Sequence, residues 1–496
     1  MNRTTVSLIA AVTALTAVTG FATLTAPDGT GGSEAKAAAQ LPVERSTLLC
    51  PAPSTSDLAE TSYTSYTPAS KDSGSTGKAE VTAATRDSKD DAKDKDKGDK
   101  PVLSPKEPGK PVSGDSSGAE APALVGTAEG NLAPGWTVQQ TTEIPAGSTR
   151  GVLGVNCTAP DTDFWFPGAS TAEERTDYVH LTNPDDSAAV VDIELYGKEG
   201  ALKSEVAEGI QVPPHSSVPV LLSTLTDEPQ TNLTVHVTVR SGRVAAAVQA
   251  ADGKLGTDWL PVSTDPAGSL VLPGIPEDAT SVRLVAFATG EDDADLKVQL
   301  ASPNGLITPA GHETLHVKSG MTAAVDLGDV TKGEAGSLVL TPTEDSAPVV
   351  AAVRVVRGKG SRQETAFIPA TRPVGTRATA ADNRAKGSTL ALVAPGKSAK
   401  VRVTASAGTG DGTAVTKTYT VKGGTTTALK PPPVPGGLKG AYALTVERVS
   451  GGPVYASRML ELPQDGIPMF TVQTLPDDRG TVAVPTADQD LSVLQK

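Results

Sequence analysis

Tyr178-Val-His-Leu-Thr-Asn-Pro-Asp-Asp-Ser-Ala-Ala-Val-Val-Asp-Ile-Glu-Leu195 reads as a short strand, a polar turn and a second strand of strict alternation. Val179 and Leu181, then Val191, Ile193 and Leu195, fall on one face, which is the period-2 signature of a half-buried β-strand. Two later stretches follow the same plan: Val282-Arg-Leu-Val-Ala-Phe-Ala-Thr-Gly-Glu-Asp-Asp-Ala-Asp-Leu-Lys-Val-Gln-Leu300, and Thr389-Leu-Ala-Leu-Val-Ala-Pro-Gly-Lys-Ser-Ala-Lys-Val-Arg-Val403. Such self-similarity marks a repeated supersecondary unit.

Working outward, each copy continues with two strands across a turn, at Ile210–Leu222, Leu315–Leu327 and Tyr419–Leu429. Each then reads as closing with a hairpin, Val235–Val248 in the first case. After the hairpin comes an aromatic-Pro stretch, Asp258-Trp-Leu-Pro261 and Ala366-Phe-Ile-Pro369. Phe164-Trp-Phe-Pro167 matches these, which implies an earlier copy running from Ser46-Thr-Leu-Leu-Cys50 to Val152-Leu-Gly-Val-Asn-Cys157. Six or seven short strands per unit of about 100 residues describe an immunoglobulin-like β-sandwich. The expected fold is therefore all-β, with tandem immunoglobulin-like sandwiches at 42–168, 174–265, 278–372 and 384–484. A β-propeller is the alternative, and it would need the copies to pack in a ring.

Arg3 followed by the uncharged Ala/Val/Leu/Thr-rich run to Pro27 reads as an export signal or N-terminal membrane anchor over residues 1–39. In an exported chain the only two cysteines, Cys50 and Cys157, are expected to form a disulfide that ties the first strand of the first copy to its last. Between them, residues 54–120 are rich in Ser, Thr, Lys, Asp, Gly and Pro. They include the mixed-charge run Lys89–Lys100, so a disordered insertion is expected. A net charge of −14 argues against nucleic acid and anionic membrane as partners, leaving the membrane to the N-terminal segment alone. Secretion, or attachment outside the cell membrane, is the expected location.

The leader, the Cys50-Pro segment, Cys157 with Phe164-Trp-Phe-Pro167, and the Asn183-Pro strand end resemble those of a family of actinobacterial exported proteins classed only as a domain of unknown function. That resemblance implies an envelope location and brings no functional residues with it.

The motif that points most directly to chemistry is His312-Glu313-Thr-Leu-His316, the zinc-peptidase pattern. On a helix its two histidines would share a face about 5–6 Å apart. It aligns instead with the strands at Ile210 and Tyr419, where residues four apart lie roughly 13 Å apart. No Gly-x-Ser-x-Gly elbow accompanies any of the five histidines, and Gly408-Thr-Gly-Asp-Gly412 lacks the Lys-Ser/Thr of a phosphate loop. His180 and His236, on alternating strands, are expected to be partly exposed and satisfied. Catalytic, metal and cofactor sites are thus expected to be absent. The recurrent aromatics Trp165, Trp259 and Phe367 are the candidate ligand platform. The expected role is a non-enzymatic envelope protein that binds or scaffolds an envelope protein or a polysaccharide, with a carbohydrate- or wall-polymer-binding module as the alternative.

Overall fold

The computed structural model describes residues 38–69, 76–84, 100–204, 206–343 and 347–485. The segment 1–39, read as an export signal or anchor, lies outside them except for its last two residues, as does the mixed-charge run at 89–100 except for Lys100. The described residues are all-β, with one 3-10 turn at Leu222–Thr224 and no helix long and apolar enough to cross a membrane. Ala39–Pro42 pairs with Thr481–Val484 in a two-stranded sheet, and residues 42–481 form one compact unit.

That unit consists of four pairs of open sheets, each pair packed around its own core. In the second pair, the opening strand Asp163–Ala169 lies beside Leu233–Ser241, which lies beside Ala189–Gly197 and then Ile210–Val212. The facing sheet runs Ser216–Leu221, Arg175–Asn183, Ala245–Asp252 and the closing strand Gly256–Leu260. Val179, Leu181, Val191, Ile193, Val235, Val237 and Val248 meet between the sheets, which is why the alternation in Tyr178–Leu195 is so regular.

The third and fourth pairs repeat this strand order, with opening strands Leu270–Ile275 and Arg377–Asn383 and closing strands Arg362–Pro369 and Phe470–Thr474. The first pair does too, from Arg45–Cys50 to Gly151–Asn156, with only a bridge between Val81 and Leu103 where the other copies have a fourth strand. Cys50 and Cys157 are disulfide-bonded across this first core.

Three features differ from the sequence expectation. Phe164–Pro167 sits in the opening strand of the second pair, whereas Asp258–Leu260 and Ala366–Pro369 sit in closing strands. One opening strand, Asp163–Ala169, carries an aromatic shortly before a proline just as these closing strands do, so the motif alone does not distinguish them. The segment 54–120 contains strands Glu60–Tyr66, Gly77–Ala83 and Val112–Ser117, because the Tyr/Thr alternation of the first is a strand signal that the polar composition masks. Leu233–Ser241 and Ala245–Asp252, read as a hairpin, lie in opposite sheets. The chain crosses between them at Gly242, whose φ of 81° suits glycine alone.

The four pairs close into a ring around their closing strands. Gly256–Leu260 packs against Arg362–Pro369 and Gly151–Asn156, and Phe470–Thr474 against the same two. A propeller blade would bring one four-stranded sheet, whereas each member of this ring brings two sheets with a core between them. Three of the opening strands form a second layer of contact, each packing on the second and penultimate strands of the next pair. Asp163–Ala169 lies on Ala279–Ala288 and Val349–Lys359, Leu270–Ile275 on Ser388–Ala394 and Tyr455–Glu461, and Arg377–Asn383 on Glu60–Tyr66 and Thr137–Ile144. Arg45–Cys50 makes no comparable approach to Arg175–Asn183 and Ala245–Asp252.

A candidate binding cavity on the ring axis

Four edge strands meeting at an axis bring polar side chains into a space with little water, and the groups there are held accordingly. Asp258 Oδ1 accepts hydrogen bonds from the Gly154 and Trp259 backbone N–H groups and from the Thr471 hydroxyl, at 3.1, 2.8 and 3.1 Å. One carboxylate oxygen thereby joins the closing strands of the first, second and fourth pairs. Burial raises the Asp258 pKa well above the usual carboxylate range. Glu364, from the third pair, has no hydrogen-bond partner for either oxygen among the described residues. Its pKa is pushed up to about 9, chiefly by burial, with nearby Asp258 adding to the rise and Arg150 opposing it. Glycine is needed at Gly256 because a Cβ there would collide with the Glu364 carboxylate. At the same end of the axis Arg150 donates to the Gln363 and Lys254 carbonyls.

At the other end the axis opens into a cavity of about 510 Å³, within the range of small-molecule sites. It lies where the fourth opening-strand contact is not made. Leu48 and Leu49 form one wall, and His180, Thr182 and Ala245–Ala247 the facing one. In the third pair the corresponding surface is covered. There Trp165 packs on Phe287 with ring centroids 5.4 Å apart, and on His236 at 3.6 Å. The cavity is thus a vacant position in an otherwise filled ring.

Its floor is formed by the chain just past each closing strand, where Thr-x-Pro occurs four times: Thr158-Ala-Pro160, Thr264-Asp-Pro266, Thr371-Arg-Pro373 and Thr474-Leu-Pro476. All four threonines line the cavity, and their hydroxyls open onto it with no hydrogen-bond partner among the described residues. The recurrence is visible in the sequence but is overshadowed there by the aromatic-Pro matches. His180, expected to be partly exposed, is 7% exposed, with neither ring nitrogen partnered, and burial lowers its pKa to about 4. It stays neutral at physiological pH.

Trp259 and Phe367 are fully enclosed, at 0% and 1% exposure. Trp259 meets His180 edge-on between the first and second pairs, and Phe367 packs in the second core beneath Arg175. Trp165 is half-buried between the second and third pairs, so the three aromatics occupy three separate places. His316 lies on the edge strand Thr314–Val317 with its ring engaged by Asp293 and Asp295. His312 lies in the preceding turn, and the Glu313 carboxylate accepts the Gly311 N–H. His236 bridges Asp163 and Glu194, each at 2.9 Å.

The fold and the cavity define a class: an all-β protein of tandem two-sheet units closed into a ring with an open axial pocket. The chain belongs to a family of unknown function, DUF5719, whose model matches residues 112–432. That match spans the second and third pairs entirely and parts of the first and fourth. No curated protein and no solved structure matches the chain.

Proposed function

We propose that this is a non-enzymatic, extracytoplasmic cell-envelope protein whose tandem immunoglobulin-like sandwiches hold a binding site outside the membrane, with the axial cavity as that site. The observation that carries the reading is the cavity itself, a 510 Å³ pocket left by the one opening strand that stands off from its neighbour. The export-type leader and the disulfide support the location, since disulfides persist in oxidising compartments.

The test is to compare retention of envelope components on immobilised full-length protein with retention on Ala245→Trp, whose indole would fill the cavity from its wall. Protease shaving of intact cells tests the location. Retention that falls with Ala245→Trp, and digestion of the protein from outside, are expected. Equal retention by both proteins, a protein sheltered from external protease, or hydrolytic turnover of a retained component would count against the proposal.

A further inference from the structure

We infer that the axial cavity takes a neutral, hydroxyl-rich ligand, a saccharide without acidic or amino groups. The inference rests on the binding reading and adds the ligand's chemistry.

Three observations carry it. The first is the floor. Thr371 and Thr474 are 7% and 8% exposed, and their hydroxyls, like those of Thr158 and Thr264, open onto the cavity with no protein partner among the described residues. A hydroxyl both donates and accepts and rotates to suit, so several converging on one space match a ligand whose own groups do the same. Small apolar walls between them, at Val155, Ala245 and Ala370, leave room for the C–H faces of sugar rings.

The second is charge. The lining carboxylates outnumber the guanidinium groups, Arg372 and Arg479 being the cations, so a phosphate or carboxylate ligand would be repelled. An ammonium ligand would in turn find three of the five lining acids already committed to cations, and the other two, Asp161 and Asp477, accepting backbone N–H groups of Thr162, Thr376 and Arg479. Asp265 pairs with Arg372, Asp163 with His236, and Asp478 with Arg377. A ligand cation would have to compete with Arg372, His236 and Arg377 for those three acids.

The third is the backbone. An extended peptide binds by adding a strand to a free edge, but the edge groups nearest the floor are already paired. Leu49 and Thr158 exchange both hydrogen bonds, Thr264 N–H donates to the Ala370 carbonyl, and Thr371 N–H donates to that of Val271. What the cavity has free is neutral: the threonine hydroxyls, the two ring nitrogens of His180 and the Gln473 side-chain oxygen.

The test is isothermal titration calorimetry of the full chain at physiological salt. The probes are linear neutral hexose and pentose oligosaccharides, their uronic-acid and phosphate-bearing counterparts, and an uncharged extended peptide. Saturable binding of a neutral oligosaccharide is expected. It should weaken at least tenfold in the near-isosteric double variant Thr371→Val/Thr474→Val and be lost in Ala245→Trp. Thermal midpoints close to wild type verify that both variants fold.

Failure of every neutral oligosaccharide, or equal binding to Ala245→Trp, overturns the inference. If charged probes or the peptide bind instead and are lost in Ala245→Trp, the ligand class is wrong and the cavity remains a binding site. If no probe binds and envelope retention is unchanged in Ala245→Trp, both readings fall.

Discussion

Replacing Glu364 by Gln should remove a pH dependence from the stability of the ring. The carboxyl is fully enclosed, and its pKa rises from 4.5 to about 9 because burial penalises the charged form. The folded chain therefore keeps a proton that the unfolded chain releases above pH 4.5. Between those two values folding is linked to proton uptake, so this group lowers stability by about 1.4 kcal/mol for each pH unit gained. From pH 5 to pH 8 the loss comes to about 4 kcal/mol, and it ends only above pH 9, where the folded state ionises as well. The other charged groups around it are Asp258 and Arg150, which remain in the variant. Urea denaturation followed by tryptophan fluorescence at pH 5 and pH 8 isolates the Glu364 contribution as wild type minus variant. The two proteins should lie close at pH 5, with Glu364→Gln more stable by roughly 4 kcal/mol at pH 8. A difference that stays within about 1 kcal/mol across this range would refute the reasoning, because it would mean that the carboxylate is solvated on the axis or paired with Arg150.

Three further outcomes follow from the same contacts. Replacing Cys50 and Cys157 together by Ser opens a closure of 107 residues. It should destabilise the first sandwich by up to about 4–5 kcal/mol on the loop-entropy model, read as a lower urea midpoint than that of the oxidised wild type. Trp165→Ala removes a ring stacked between His236 and Phe287. It should cost about 2–4 kcal/mol and raise hydrogen exchange in the second and third sandwiches before the first and fourth. Glu313→Gln alters an exposed carboxylate that accepts the Gly311 N–H, and should leave both the thermal midpoint and the zinc content of the purified protein unchanged.

Much of the sandwich core was legible because each half-buried strand announces itself. Val179 and Leu181, or Val191, Ile193 and Leu195, point to one core and sit in it. The disulfide was legible for a different reason, two cysteines alone in a chain whose N-terminal segment reads as an export signal. Which strands share a sheet was not. The alternation in Val235–Val248 fits a hairpin as well as it fits two strands in facing sheets, and only the third dimension chooses. Composition hid Glu60–Tyr66, where Tyr63 reaches the first core from within a polar segment.

The outward faces were the least legible. His180 alternates with core residues and so reads as solvent-facing, yet the ring buries that face. The cavity arises from a packing contact that one opening strand does not make, and no residue pattern records it. Thr158, Thr264, Thr371 and Thr474 are the part of the site that does leave a trace, a Thr-x-Pro at the end of every closing strand.

Hydrogen exchange of the full chain with and without a neutral oligosaccharide tests the central claim most directly. The segments 155–159, 261–265, 370–372 and 473–479 are distant in sequence and meet only at the mouth of the ring. Protection gained in all four together, and lost in Ala245→Trp, is the predicted result. Protection confined to one segment, or appearing on another face of the molecule, would contradict a ligand site on the ring axis.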